Sequence, residues 1–331
     1  MRSNCYVSFL FVLWTRLLAS ALVLAAVACR NAPAPPSQEF AYVRGAEQPL
    51  RDQLGPSSRP IAALQGGDRV DVLARRSRWV QVRAATGQVG WLHSQSLVSQ
   101  ETFDRFHKLA KETASLTSQG TALARRDANL HLEPSRDSEV FHLLRKEEEV
   151  EVVAHRAVER AGSGVRLGES RAELDEESSA QVSVRQPENW LLVRDARPRA
   201  GWVLESLLDM NVPLEVAQYS EGLRIRAWFV LHVEQDQAGE HPWYLWATVR
   251  PRPGLPYDYD EIRVFVWNPR NARYETSYRE RNLIGFYPIQ VTRRETPAGV
   301  SPTFTLHLED ETGRRFQKNY VMAGRVVRPQ P

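Results

Sequence analysis

Cysteine is almost absent from this sequence of 331 residues, which contains only Cys5 and Cys29. Because both lie within the first thirty residues, the rest of the chain has no thiol for a disulfide, a cysteine-ligated metal site or a thiol nucleophile. Lysine is also scarce, with four residues against 39 arginines, and the net charge of +3 at pH 7 is weak for this length. Nucleic-acid-binding proteins carry clustered basic charge, so nucleic acid is not an expected partner.

Short catalytic motifs are absent as well. The eight histidines are scattered, and the chain has no His-Glu-x-x-His run, no Gly-x-Ser-x-Gly turn, no phosphate-binding glycine loop and no dinucleotide fingerprint. The acidic stretch 257–261 lacks the ligand spacing of a calcium loop. We therefore predict no catalytic residue, no metal site and no cofactor, and we predict that the protein is not an enzyme. A catalytic triad assembled from distant residues stays open.

The first 28 residues have the pattern of an export signal. Arg2 and Arg16 are positively charged, and the twelve residues 17–28 that follow are apolar except for Ser20. A run of this length fits the apolar region of a signal peptide and is too short to span a bilayer as a helix. An uncleaved anchor over residues 6–28 is an alternative, although Arg16 within the membrane would be costly.

The segment around Cys29 refines this prediction. The sequence Ala26-Val27-Ala28 before Cys29 resembles a bacterial lipobox, which implies cleavage before the cysteine and attachment of a lipid to Cys29. Residues 29–38 are rich in Pro, Ala and Ser and read as an extended tether. We predict a signal peptide at 1–28, a lipid-anchored N-terminus at the inner or outer membrane, and a body in the periplasm or outside the cell. An ordinary secretory signal cut near Ala28 is the rival prediction.

The body contains an internal repeat. Two stretches align at an offset of 80 residues, and the offset then increases to 111, so the second copy carries an insertion of 31 residues. Alternation of polar and apolar residues at period two predicts short strands in both copies. About five short strands in some sixty residues favour a small closed barrel, because closure removes free sheet edges. The matching segments are 50–73 with 130–153, 79–83 with 190–194, and 90–92 with 201–203.

These residues resemble the bacterial SH3-like domain family. The family pattern has a leucine and proline entry, a Leu-x-x-Gly-Asp-x-Val turn, a Trp-x-x-Val strand and a closing Gly-Trp-Val segment. The first copy matches with Leu50, Pro56, Leu64–Val70, Trp79–Val82, Gly90–Leu92 and Leu97. The second matches with Leu130, Pro134, Leu144–Val150, Trp190–Val193, Gly201–Val203 and Leu208, although Lys146-Glu147-Glu148 replaces the glycines of the turn.

The resemblance implies an extracytoplasmic binding module, and some members of the family bind cell-wall peptides or glycans. It also implies that the four repeat tryptophans, Trp79, Trp91, Trp190 and Trp202, form the structural core of the barrels. We predict one SH3-like domain at 39–99 and a second at 119–210.

Two connecting segments differ in kind. Phe103, Phe106, Ala110 and Leu116 fall on one face of a predicted helix that begins after Ser99, a suitable N-cap. We predict a linker helix within 100–118 that packs between the barrels. The insertion at about 155–188 has no aromatic and few apolar residues, so we predict disorder or a loosely held hairpin extension there.

The last third, 213–331, lacks the repeat and is rich in strands and aromatic residues. Period-two patterns and hairpin turns predict six to eight antiparallel strands in a sandwich or barrel. The predicted fold class is therefore all-β: two small SH3-like barrels, one short linker helix, and a C-terminal antiparallel β sandwich or barrel.

Arginine and aromatic residues in this last third, with one tyrosine of the first barrel, are the candidate ligand-binding residues. The rigid basic loop 250–254 can contact a glycan or peptide through stacking and cation–π contacts; an ordinary surface rim is the alternative. The candidates are Tyr42, Trp243, Arg250, Arg252, Tyr257 and Tyr259. A second cluster contains Tyr274, Tyr278, Arg279, Arg281 and Tyr287, residue types common at binding hot spots and on exposed strand faces.

Together these patterns predict a non-catalytic, lipid-anchored binding protein of the cell envelope. Its partners would be the membrane, through the N-terminal lipid, and peptidoglycan or an envelope protein, through the SH3-like domains. The alternative is a cell-wall-targeted enzyme whose C-terminal domain is catalytic.

Overall fold

The part of the chain that the structure describes forms three antiparallel sheets of seven strands each. The computed structural model describes residues 39–159, 187–237, 239–252, 254–296 and 299–330. Strands dominate and only two short α-helices occur within these ranges, so the all-β prediction is confirmed. No helix in the described part of the chain is long and apolar enough to cross a bilayer. The predicted signal peptide, Cys29 and the tether lie outside the described residues.

The first sheet curls around an apolar core with the strand order β3-β2-β6-β5-β4-β1-β7. Strand β1 pairs with both β4 and β7, which brings the two ends of the sequence segment together. Leu50, Val70, Val80 and Leu92 lie in the core and are almost fully buried. The strands are β1 Phe40–Val43, β2 Glu47–Arg51, β3 Pro60–Gln65, β4 Arg69–Arg76, β5 Trp79–Arg83, β6 Val89–His93 and β7 Leu97–Val98.

The second sheet repeats this arrangement strand for strand, with the order β10-β9-β13-β12-β11-β8-β14. A short 3₁₀ helix precedes the last strand in both sheets, at Ser94–Ser96 and at Glu205–Leu207. The fourth strand of each sheet also has a bulge at the same place, Leu73 in β4 and Val153 in β11. The strands are β8 Thr121–Ala124, β9 Ala128–His131, β10 Val140–Leu144, β11 Glu149–Glu159, β12 Pro187–Arg194, β13 Ala200–Leu204 and β14 Leu208–Met210.

Glycine has the same structural purpose in both sheets. A Cβ atom at Gly90 would lie 2.6 Å from the carbonyl oxygen of Arg51, and one at Gly201 would lie 2.7 Å from Cβ of Leu130. Neither contact is sterically allowed, so glycine lets two strands approach closely where the sheet closes. This explains why the Gly-Trp motif recurs at the same point of both barrels.

The repeat tryptophans are not in the barrel interiors, which corrects part of the core prediction. In β5 the valines Val80 and Val82 point into the core, so period two puts Trp79 on the outer face. Trp91 lies on the same outer face and, like Trp79, is only partly buried. Trp190 and Trp202 also point outward, but another part of the chain covers them, and they are 1% and 6% exposed.

That covering element is helix α1, Gln100–Ala114, which packs between the two sheets. Its first turn is capped as predicted, because the backbone N–H of Thr102 donates to Oγ of Ser99 at 3.2 Å. Phe106 is 1% exposed and packs against Leu132 and Phe141 of the second barrel. Further along the helix, Leu109 packs on the cluster that contains Trp190 and Trp202.

The prediction for the insertion is corrected at both ends. Residues 155–159 of β11 pair in register with residues 187–191 of β12. The hairpin extension is therefore ordered there, because its backbone groups pair and His155 is buried against the third sheet. Residues 160–186 lie outside the described residues.

The third sheet is a meander in which each strand pairs with the next along the chain. The first half of the long strand β18 pairs with β17 and its second half with β19. Strand β15 packs back against β18 and β19, so one face closes over a core with Tyr259, Phe304 and Tyr320. The opposite face of β16 and β17 is covered by Val216 of helix α2, Leu214–Ala217. The strands are β15 Arg224–Asp236, β16 Gly239–Val249, β17 Tyr259–Asn268, β18 Arg273–Thr296, β19 Gly299–Glu309, β20 Arg315–Ala323 and β21 Val326–Gln330.

A candidate anion-binding cleft on the C-terminal sheet

A cleft of about 660 Å³ lies where the loop between β16 and β17 faces strand β18. Arg250, Arg252 and Tyr257 of this loop line one side, and Arg279 and Arg281 of β18 line the other. Pockets for small ligands usually measure about 300–1,000 Å³, so the cleft is large enough for a short peptide or sugar unit. It brings together the predicted basic loop and part of the second predicted cluster.

The floor of the cleft is an ion-pair network centred on Glu261. Nε of Arg279 donates to Oε1 of Glu261 at 2.6 Å, and Nε of Arg281 donates to Oε2 at 3.2 Å. Arg279 also bonds Glu221, which accepts a second bond from Arg263. These bonds raise the pKa of Arg279, chiefly through Glu261, and lower the pKa of Glu221, chiefly through Arg263. The floor is therefore charged, and both of these acids are already engaged by arginines.

Arg250 and Arg252 differ from the floor arginines because no side chain among the described residues forms an ion pair with either guanidinium. Both are exposed at the rim. An arginine offers five N–H donors in a planar fork that fits a carboxylate or a phosphate. Four arginines against three acids line the cleft, so an excess positive charge remains for an anionic ligand.

The second barrel holds the loop that carries these arginines. A Cβ atom at Gly254 would lie 2.0 Å from Cγ of Pro187, at the start of β12. At the end of the loop, Oδ1 of Asp258 lies 2.8 Å from Nδ1 of His155, and Oδ2 accepts the backbone N–H of Tyr287 at 2.6 Å. The loop is thus held at its middle and at its end, which restrains the segment that carries the arginines.

Buried polar contacts join the second barrel to the third sheet near this loop. Gln119 is fully buried, and its Oε1 accepts the backbone N–H of Ile289 at 2.8 Å. Glu205 lies 2.7 Å from Nε of Arg226, whose side chain is 2% exposed. Burial raises the pKa of Tyr287 well above its ordinary value, so the neutral hydroxyl donates to the carbonyl oxygen of Arg226 at 2.6 Å. The barrel and the sheet therefore form one packed unit around the cleft.

Three other predicted ligand residues do not line this cleft. The prediction for Tyr259 is corrected because its ring is fully buried, and those for Tyr42 and Trp243 stay predictions. Tyr259 is fully buried because its ring packs on Gly285, where a Cβ atom would lie 2.1 Å from the ring. Trp243 lies near the start of β16, is 7% exposed, and donates its Nε1–H to Glu234 of β15. Tyr42 stacks on Phe103 of helix α1 at 3.7 Å and donates to Gln100, so it holds the helix on the first barrel.

Sequence reasoning named Arg279 and Arg281 only as part of a general binding face, and it missed Glu261 as their partner. The cross-strand register is the signal that identifies it, because Glu261 pairs with Arg281. Within the described ranges no group of three or more histidine, aspartate or glutamate side chains is arranged to hold a metal ion.

Comparison with known proteins identifies the first barrel. Residues 49–98 match the model of the bacterial SH3 domain family, as the sequence motifs predicted. The match does not extend to the second barrel, so its membership of the family rests on the shared strand order and motifs and stays a prediction. No curated protein matches the chain.

Several solved structures also match. NlpC1 from Trichomonas vaginalis is 12% identical, with 56% of this chain and 51% of that chain covered and a TM-score of 0.18. An NlpC/P60 family protein from Bacillus cereus is 13% identical, with 51% and 55% covered and a TM-score of 0.21. NlpC2 from Trichomonas vaginalis is 11% identical, with 90% and 93% covered and a TM-score of 0.17. The chain spans about half the length of the first two proteins.

These matches change the functional prediction. NlpC/P60 is a family of cell-wall peptidases, so the prediction that this protein is not an enzyme is overturned and withdrawn. The low TM-scores assign no active site and no reaction to this chain. At a coarser level, the bacterial SH3 domain marks a cell-wall-associated protein of the cell envelope.

Proposed function

We propose that this protein binds the carboxylate-bearing peptides of the cell wall through the arginine cleft of its C-terminal sheet. The observation that carries the proposal is that Arg250 and Arg252, held at the rim by a restrained loop, form no ion pair with another described residue. Tyr257 beside them supplies a ring for stacking. A planar guanidinium fork and an adjacent ring suit a peptide that bears a free carboxylate.

Retention on purified peptidoglycan tests this proposal. The mature chain should co-sediment with peptidoglycan, and the double variant Arg250→Ala/Arg252→Ala should bind at least about tenfold more weakly, since a hydrogen bond to a charged group contributes about 1.5–3 kcal/mol. Binding should also weaken as ionic strength rises.

The matched control is Arg126→Ala/Arg270→Ala, which removes the same charge from two exposed arginines that form no ion pair with another described residue. Equal retention of both double variants would show that net charge alone governs binding and would refute the cleft. If Arg250→Ala/Arg252→Ala no longer captures a protein partner but is retained on peptidoglycan as the wild type is, an envelope protein is the favoured ligand.

We also propose that Cys29 carries a lipid that anchors the chain to a membrane. Its support is the lipobox resemblance at residues 26–29 and the tether that follows. Cells supplied with a fatty-acid analogue should label the protein, and Cys29→Ser should abolish the label and release the protein from the membrane fraction. Membrane retention of an unlabelled Cys29→Ser protein would instead indicate an uncleaved anchor.

A cell-wall-targeted enzyme with a catalytic C-terminal domain is the second candidate function. The sequence beyond Cys29 contains no cysteine, so such an enzyme would use a nucleophile or base other than a thiol. A zymogram on cell-wall material tests it directly. A clearing zone given by the wild-type chain and lost in Glu261→Gln would place the reaction in the arginine cleft.

A further inference from the structure

The outer face of the first barrel exposes apolar surface that the second barrel buries. Leu73 is 39% exposed, whereas Val153 at the same bulge of the second barrel is 5% exposed. Trp79 and Trp91 are partly exposed, whereas Trp190 is 1% exposed. The two faces are built alike, because Arg76 lies over the ring of Trp91 at 6.0 Å as Arg156 lies over the ring of Trp202 at 5.3 Å. Within the part of the chain that the structure describes, helix α1 covers one face and no element covers the other.

We propose that this open face of the first barrel, defined by Arg76, Trp79, Gln81, Arg83, Trp91 and His93, lies on the anionic lipid surface to which the chain is anchored. The inference rests on the proposed lipid attachment at Cys29. It adds a second membrane contact, made by side chains of the barrel, which sets the orientation of the protein on the membrane.

The polar residues of the face argue against a dry protein contact. In the second barrel, Leu192 and Leu204 flank the tryptophans and pack with helix α1. Their counterparts in the first barrel are Gln81 and His93, which face the tryptophans in cross-strand pairs. A face that mixes tryptophan with Gln and His suits the hydrated headgroup region of a bilayer, where amphipathic rings accumulate.

The charges of the face favour anionic lipid. Arg76 and Arg83 are exposed and form no ion pair with another described residue. A basic residue close to an anionic membrane surface contributes about 1 kcal/mol, or roughly a fivefold gain in affinity. Two such arginines beside two tryptophans therefore give a weak contact that becomes effective once the chain is anchored.

The length of chain before the first barrel brings the anchor within reach of this face. In the second barrel, Leu109 lies on the tryptophan face and is twelve residues ahead of Thr121, where β8 begins. Cys29 is eleven residues ahead of Phe40, where β1 begins. A segment of that length spans up to about 36 Å when extended, which suffices for a lipid on Cys29 to insert beside Trp79 and Trp91.

Vesicle co-sedimentation of the mature chain carrying Cys29→Ser tests the face without the lipid. Vesicles of phosphatidylglycerol and phosphatidylethanolamine should bind the protein more tightly than vesicles of phosphatidylcholine. Arg76→Ala/Arg83→Ala should weaken binding to the anionic vesicles about 25-fold. Arg126→Ala/Arg270→Ala should leave it unchanged, apart from the small effect of net charge.

Tryptophan fluorescence provides a readout that does not depend on truncating a large side chain. Brominated lipids should quench part of the emission of the wild-type protein, and Trp79→Phe/Trp91→Phe should remove that quenched part while preserving the fold. Trp267→Phe, which alters a tryptophan of the third sheet, is the control. Unfolding temperatures of all variants show whether any of them loses its fold.

The proposal is overturned if the face variants bind anionic vesicles as the wild type does. It is also overturned if Trp79→Phe/Trp91→Phe weakens retention on peptidoglycan and leaves vesicle binding intact, which would assign the face to a wall polymer. Failure of the arginine cleft would appear separately, as unchanged peptidoglycan retention in Arg250→Ala/Arg252→Ala. Failure of lipid attachment would appear as an absent fatty-acid label.

Discussion

The buried ion pair between the second barrel and the third sheet gives a prediction whose magnitude follows from the structure. The carboxylate of Glu205 lies 2.8 Å from Nε of Arg224 and 2.7 Å from Nε of Arg226. The side chains of Glu205 and Arg226 are 7% and 2% exposed. No other carboxylate of the described residues lies within ion-pair distance of Arg226. Glu205→Gln therefore leaves a buried guanidinium without a counter-charge.

The cost follows from desolvation. Breaking a buried pair by removing one partner typically destabilises a protein by about 3–5 kcal/mol, because the remaining charge stays out of water. The matched control is Asp209→Asn, which breaks the pair between Asp209 and Arg125. Those side chains are 57% and 54% exposed, and an exposed pair contributes at most about 1 kcal/mol. Two chemically equivalent changes are thus expected to differ severalfold in effect.

Urea unfolding of the mature chain, followed by tryptophan fluorescence, measures the difference. Glu205→Gln should lower the midpoint much more than Asp209→Asn. The double variant Glu205→Leu/Arg226→Met should recover most of the loss, because an apolar pair of similar volume removes the desolvation penalty. If Glu205→Gln costs no more than Asp209→Asn, the pair is hydrated, and the packed junction between barrel and sheet described above is wrong.

Two further predictions concern the second barrel. Glu147 has a positive φ of 64° at the position where the first barrel has Gly67, so Glu147→Gly should raise the free energy of unfolding by about 1 kcal/mol, which thermal unfolding measures. Burial, with help from Arg199, His107 and Arg197, lowers the pKa of His142 to about 4. Between pH 6.5 and 4 this histidine is protonated in the unfolded chain and neutral in the native one. The free energy of unfolding should therefore be highest above pH 6.5 and fall by up to about 3 kcal/mol as the pH drops to 4. His142→Phe should flatten that part of the stability profile in urea titrations at a series of pH values.

The strand pattern of the barrels could be predicted from the sequence because alternation and turn residues are local signals. The burial of the tryptophans could not be predicted in the same way, although the direction of their side chains follows from the local pattern. Val80 and Val82 fill the core of the first barrel, so period two requires Trp79 to point outward. Whether an outward tryptophan is covered depends on helix α1, which touches both barrels but packs over the tryptophan face of the second, and that long-range contact leaves no local trace in the sequence.

In the candidate site, too, some residues could be placed from the sequence and others could not. Arg250, Arg252 and Tyr257 are close in the chain and lie in one loop, so proximity in sequence was sufficient to group them. Tyr259 follows Tyr257 by two residues, yet it begins β17 and packs into the core on Gly285. The boundary between loop and strand thus separates the partly exposed ring of Tyr257 from the buried ring of Tyr259. Turn propensities do not fix such boundaries to within a residue or two.

Comparison of the two barrels indicates which surfaces remain available for partners. Where the second barrel has Glu205, His155 and Trp190, the first has Ser94, Arg75 and Trp79 at the equivalent positions of the same strand order. The three residues of the second barrel are engaged within the chain. Glu205 pairs with Arg226, His155 contacts Asp258, and Trp190 packs against helix α1. Among the described residues, no ion pair or hydrophobic cluster joins these counterparts to the third sheet or to helix α1, which meets the first barrel at Tyr42 instead. The second barrel is thus a scaffold that orients the arginine cleft, and that cleft and the outer face of the first barrel are two surfaces available to other molecules.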